Sequence, residues 1–159
     1  SGTGIGGGII QVKSTTKTDE FSTTSTSLVD VTGLSVTITP TRSDSKILVM
    51  ASFIFGQNKS PNSNQDNMKQ FTIYRDNTEL APAHDRFFAH QNEASGSINF
   101  DEQTQVASIC FLDSPNTTNS LNYKLMMKVD SSQSTIMFNR RGVGDYTGNS
   151  TITCIEVEG

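Results

Sequence analysis

Hydrophobic positions recur with a period of two along almost the whole chain. Leu34, Val36 and Ile38 alternate with Ser35, Thr37 and Thr39, the pattern of a strand with one buried and one wet face. The run from Ile47 to Phe55 is apolar on both parities, broken only by Ser52, and predicts a central strand covered on both sides. Further runs predict strands from Lys69 to Arg75, Gln103 to Leu112, Leu121 to Val129, Ser134 to Phe138 and Ser150 to Val157, with shorter ones at Ile9 to Val12 and Leu28 to Val31. Pro40, Pro61, Pro82 and Pro115 all fall between these runs, where Gly, Asn, Asp and Ser also gather. Asp76-Asn77 suits a tight hairpin turn, because both residues tolerate positive φ. No segment carries helical periodicity. The pattern predicts an all-β chain: a single-domain antiparallel β-sandwich, jelly-roll-like.

Composition sharpens this picture. A chain of 159 residues is the size of one domain and buries roughly two-thirds of the surface it exposes unfolded. It holds 20 Ser and 20 Thr against 28 charged residues, so its wet surface is built largely of neutral hydroxyl groups. Threonine favours a half-exposed pleated surface, and such a composition is common in extracellular β proteins and virion fibres. The net charge of -4, with 12 scattered basic residues, argues against nucleic acid or an anionic membrane as partner. No apolar run reaches the ~18 residues of a membrane span, and the start, SGTGIGGG, lacks the regions of a signal peptide. Residues 1–8, with five glycines, read as a linker, the end of a shaft, or in part a cloning remnant; residues 9–159 form the sandwich. Cys110 and Cys154 both sit in apolar runs, and read as two buried free thiols rather than a disulfide.

Candidate chemistry is sparse. Gly2-Thr3-Gly4-Ile5-Gly6-Gly7 matches the dinucleotide fingerprint as a string, but no strand precedes it and a strand follows where a helix must stand. Ser43-Asp44-Ser45-Lys46 matches S-x-x-K, yet it occupies a turn rather than a helix start. Asp19-Glu20 and Asp101-Glu102 are adjacent in sequence, and on a strand neighbours point to opposite faces, so they cannot jointly flank one bond. No catalytic residue, cofactor or metal site is expected.

Two loops remain. PAHDRFFAHQ holds both histidines, His84 and His90, together with Arg86, Phe87 and Phe88. Six residues of irregular sequence separate the histidines, which is not metal-ligand spacing. Arginine and aromatics are enriched at interface cores, so the stretch reads as a contact surface; equally, Phe87 or Phe88 plugs the open end of the sandwich. The second loop, FNRRGVGDYTGN, sets Arg140, Arg141, Asp145 and Tyr146 among glycines. It reads either as a sugar-binding surface or as a long solvated hairpin between the last two strands.

The phrases TKTDEFSTTSTSLVDVTGLSVTITPTRSDSKILVMASF, IYRDNTEL, FLDSPNTTNSLNYKLMMKV and STITCIEVEG, taken in order, resemble a domain that recurs at the C-termini of bacteriophage tail-fibre and related virion proteins, many from marine hosts. The resemblance spans nearly the whole chain after Gly8, except for Gly56 to Phe100. It implies a β-sandwich that forms a homotrimer at the tip of a virion fibre, exposed to the medium beside other fibre components. It further implies attachment to a host cell-surface glycan or protein. A structural head-fibre or decoration domain without receptor binding, and a monomeric lectin-like module, are the alternatives the residues leave open.

Overall fold

The computed structural model describes residues 8–58, 68–81, 87–90, 103–130, 132, 135–143 and 147–159. These form eleven strands in two antiparallel sheets, with no helix among the described residues. The first sheet contains β1 (Ile9–Lys17), β2 (Phe21–Thr23), β4 (Lys46–Asn58), β8 (Thr104–Asp113), β10 (Thr135–Phe138) and β11 (Ser150–Val157). The second contains β3 (Val29–Ile38), β5 (Lys69–Arg75), β6 (Thr78–Glu79), β7 (Phe88–His90) and β9 (Leu121–Val129).

Three pairs of these pieces are single interrupted strands. β1 and β2 pair in turn with β11 and β10, which both run along one edge of β4, while β6 and β7 both pair with the same edge of β5. Counted so, eight strands are ordered 1-8-3-6 in one sheet and 2-7-4-5 in the other. The first strand lies beside the eighth, the second beside the seventh, the third beside the sixth and the fourth beside the fifth. That is a long hairpin rolled into a sandwich, the jelly roll expected from the strand count.

The predicted alternation sets the core. Leu34, Val36 and Ile38 of β3 point inward, as do Val49, Phe53 and Phe55 of β4. Phe53 and Phe55 meet Phe71 of the opposing sheet at ring-centroid distances of 4.8 and 4.9 Å, near the optimum for aromatic pairs. Asp76, at φ 53°, makes the expected tight turn between β5 and β6. The two runs at Leu28 to Val31 and Leu34 to Ile38 are one strand with an irregularity, for which Gly33 at φ +84° supplies the backbone freedom.

Two expectations are corrected. β4 is central in pairing, between β11 with β10 on one side and β8 on the other, and its odd-numbered face is covered, but among the described residues the other face is covered only toward Gly56; Met50 on it is 45% exposed. Both cysteines are free, and only Cys154 is buried. Cys110 lies on the outward face of β8 and Cys154 on the inward face of β11, so they cannot bond to each other within one chain.

The sandwich has two ends. At one, Gly8 O accepts from Glu158 N at 3.2 Å, so the first and last described strands leave side by side. The turn at residues 39–45 closes on this end through Glu156, whose fully buried carboxylate accepts from Thr41 N at 2.7 Å, Thr41 Oγ1 at 2.9 Å and Gln11 Nε2. Burial alone would raise this carboxyl; the hydrogen bonds from Gln11 and Thr41 outweigh it and hold it down at about 2. A depressed carboxyl contributes stability that is present above its ordinary value of 4.5 and is lost as pH falls through about 2. The Glu156→Gln variant is therefore expected to lose stability at neutral pH and to approach the wild type below pH 2, in denaturant melts repeated across that range. Parallel curves at all pH values would contradict this role.

Candidate functional site

The last two strands are not a hairpin. Phe138 pairs with Phe55 and Thr151 with Ser52 on the same edge of β4, so residues 139–150 stand opposite only Phe53 and Ile54. The segment FNRRGVGDYTGN is thus an excursion from the middle of one strand, and the hairpin expectation is corrected. An excursion from a sheet needs a closed neck, since the ladder it interrupts leaves buried backbone groups to satisfy.

Asn139 closes it. The residue is fully buried and adopts φ 61°, a left-handed conformation that asparagine tolerates better than most residues. Its N–H donates to Ile54 O at 2.9 Å and its C=O accepts from Gly148 N at 2.8 Å. Its side-chain oxygen accepts from Ser150 Oγ at 2.5 Å, and its Nδ2 donates to Lys17 O and Asp19 O, both at 2.9 Å. Ser150 Oγ in turn accepts from Ile54 N at 3.1 Å. The same residue therefore pins the root of the loop and the break between β1 and β2.

Beyond the neck, Arg140 bridges to Thr147 and the loop folds back over β4. A Cβ on Gly56 would lie 2.6 Å from both Arg140 O and Arg141 Cα, so only glycine lets the loop backbone rest there. The Arg140 guanidinium donates to Glu20 Oε2 at 2.7 Å and, through Nε, to Arg141 O at 3.1 Å. Beneath it lies an open cavity of about 120 Å³, lined by Glu20, Phe21, Ser22, Met137 and Arg140. An arginine, a carboxylate, a hydroxyl and an aromatic edge can hold the polar rim of a ligand; a cavity this small holds one such group, not a whole small molecule. Buried Lys17 pairs with Asp19 at 2.8 Å on the other side of the neck, and that hydrogen bond holds the Asp19 carboxyl below its usual range. Among the described residues no group of three His, Cys, Asp or Glu could hold a metal ion.

The other predicted residues fall as follows. Phe87 N donates to Phe71 O at 3.0 Å, and the Phe87 ring packs on the core, edge-on to Phe111 at 5.1 Å. Of the two readings for this stretch, Phe87 fits the plug. Phe88 and His90 lie in β7, paired with Phe71 and Lys69 along the open edge of the second sheet. His84, Arg86, Asp145 and Tyr146 lie outside the described residues. Arg140 is brought to Glu20 and Phe21 on the first sheet, whereas Phe87 belongs to the edge of the second; no contact joins them among the described residues. Sequence reasoning missed Asn139 and Phe21, and weighed Glu20 only as half of a carboxylate pair. Only the preference of asparagine for left-handed backbone hinted at the first.

No family model matches the chain, and no curated protein matches it. Among solved structures it is similar to the infectious bursal disease virus protein of the T13 viral particle, at 14% identity and a TM-score of 0.44, over 92% of this chain and 37% of that one. It is also similar to that virus's VP2 subviral particle, at 11% identity and a TM-score of 0.43, over 95% of this chain and 38% of that one. The chain thus spans less than two-fifths of the length of these two proteins, and the fold assignment rests on the strand order described above.

Proposed function

We propose that the chain is a non-enzymatic virion-surface domain of the fibre-tip kind, a homotrimer that attaches the particle to a glycan or protein of the host surface. The observation that carries this reading is the polarity of the sandwich. The described chain enters and leaves side by side at Gly8 and Glu158, while β4, β7 and β9 all end, and β5 and β8 begin, at the opposite end. A domain mounted through residues 1–8 would present those connections outward, and the tied excursion over Gly56 lies in the same half. Binding specificity is carried by loops on a rigid scaffold, which is what a jelly roll with one braced excursion provides. The sequence phrases shared with fibre tips and the hydroxyl-rich surface support the same assignment. The packing of Phe87 into the core favours a second reading, a decoration domain with no receptor.

The test is competition between purified domain and whole particles for host cells. The wild-type domain is expected to block adsorption, and Arg86→Ala or Arg140→Ala to weaken that block by about tenfold or more, the scale of a binding hot spot. Arg140 and Glu20 are 28% and 45% exposed, so losing their pair costs at most about 1 kcal/mol and the variant remains folded. A trimer that binds no cells at all would favour the decoration domain. Both variants competing as well as wild type would remove these loops from the binding surface.

A further inference from the structure

The outward face of the β1-β11-β4-β8 sheet is ordered in rows. Register sets Val12, Ile155, Leu48 and Leu112 side by side across its four strands. Two rows further along, Thr16, Thr151, Ser52 and Ser108 make a band of hydroxyls; between them Met50 stands next to Cys110. No residue of these rows is charged, in a chain with 28 charged residues. Apolar side chains on this face are open to solvent: Val106 is 70% exposed, Val12 54% and Leu112 48%.

β8 adds a second, independent observation. It forms the edge of the sheet, pairing only with β4 among the described residues, through ten consecutive positions without a register shift. Edge strands of natural monomers are blunted by charge, proline, a bulge or a cover, because a bare edge invites another strand. TQVASICFLD has no proline, no bulge and no charge before its final Asp113.

We infer that this face, with the free edge of β8, is buried against a second copy of the chain. A charged partner needs counter-charges, and a glycan needs aromatic platforms or charged donors; the rows offer neither. Charge depletion with exposed apolar side chains is instead the composition of homo-oligomer interfaces. Size agrees. Four strands ~4.8 Å apart and rows spanning ~25 Å give a footprint of roughly 500 Å², toward the upper end of the largest patch, about 300–600 Å², that a typical monomer leaves open. With the β8 edge it approaches the ~800 Å² per partner of a stable interface. The second apolar parity of Ile47 to Phe55 is accounted for in the same way. The inference deepens the homo-oligomer part of the proposed function and is independent of receptor attachment.

The native thiols supply the test. Cys110 sits within the face, whereas Cys154 is buried and its thiol is pushed up to about 12 by burial, so it is silent to thiol reagents. The full chain, Val106→Lys and Ser108→Lys are each sized by light scattering, and Cys110 is labelled with a maleimide at neutral pH. Both substituted side chains are exposed, so the fold tolerates either lysine. The expected result is an oligomeric wild type whose Cys110 reacts at least tenfold more slowly than in the two variants, which are monomeric. An oligomer in which Cys110 reacts as fast as in Val106→Lys would overturn the surface while leaving attachment untouched. A monomeric wild type, or variants that keep the wild-type mass, would overturn it equally.

Discussion

Replacing Asn139 by alanine is expected to lower the melting temperature by about 6–12 °C, from a loss of about 3 kcal/mol in a domain of this size. The substitution removes the two donors to Lys17 O and Asp19 O and the acceptor of Ser150 Oγ, in a neck with no exposed side chain at its centre. It also places a residue ill-suited to positive φ at 61°. Asn139→Gly keeps the backbone freedom and loses only the side-chain bonds, so its cost is smaller. Asn139→Asp keeps the acceptor but turns a carboxylate toward two carbonyl oxygens, so its cost is at least that of alanine. Calorimetry of the three variants separates the contributions, and an Asn139→Ala melt within about 1 °C of wild type would show that the neck is not held as described.

The second large effect lies at the other end of the sandwich. Asp113 of β8 accepts from Tyr123 Oη at 2.6 Å and Arg75 NH1 at 2.7 Å, both from the opposing sheet, so one carboxylate clamps the two layers. Burial first, and Asp113 second, push the Tyr123 hydroxyl up, so it stays protonated and donating throughout the accessible pH range. Asp113→Ala removes the shared acceptor of the partly exposed Arg75 guanidinium and the buried Tyr123 hydroxyl and is expected to cost about 3 kcal/mol, the lower end of the scale for breaking a buried pair from one side. Tyr123→Phe removes only one neutral partner and is expected to cost about 1 kcal/mol. Combined, the two substitutions should cost less than their sum, because the hydroxyl orphaned by the first is deleted by the second. Additive losses in denaturant melts would mean that the three groups do not act as one clamp.

The fold was legible because alternation is local. Leu34, Val36 and Ile38 need only their own strand to declare a face, and the nine predicted runs fall on seven of the eight lines of the jelly roll, the line of β6 and β7 alone having none. What could not be read is non-local. Whether FNRRGVGDYTGN is a hairpin or an excursion depends on whether its flanking strands pair with each other or with β4, and β4 lies some 80 positions earlier in the chain. Asn139 is ordinary in a chain rich in asparagine, and its role exists only because Lys17 and Asp19 offer their carbonyls across 122 and 120 positions. The short strands β2, β6 and β7 were missed for the same reason, being ordered by the edges they join. The double parity of Ile47 to Phe55 predicted cover on both faces, whereas among the described residues Met50 on the even-numbered face stays 45% exposed; parity alone does not say what covers a face.

The measurement that tests the central claim most directly is the molar mass of the domain in solution, by light scattering on a size-exclusion column at two concentrations. A homotrimer closed through the outward face of the first sheet predicts a stable mass of three times 17.3 kDa at both concentrations. A mass of 17.3 kDa at both would contradict it, and would leave the bare β8 edge and the uncharged rows without the partner they are built to meet.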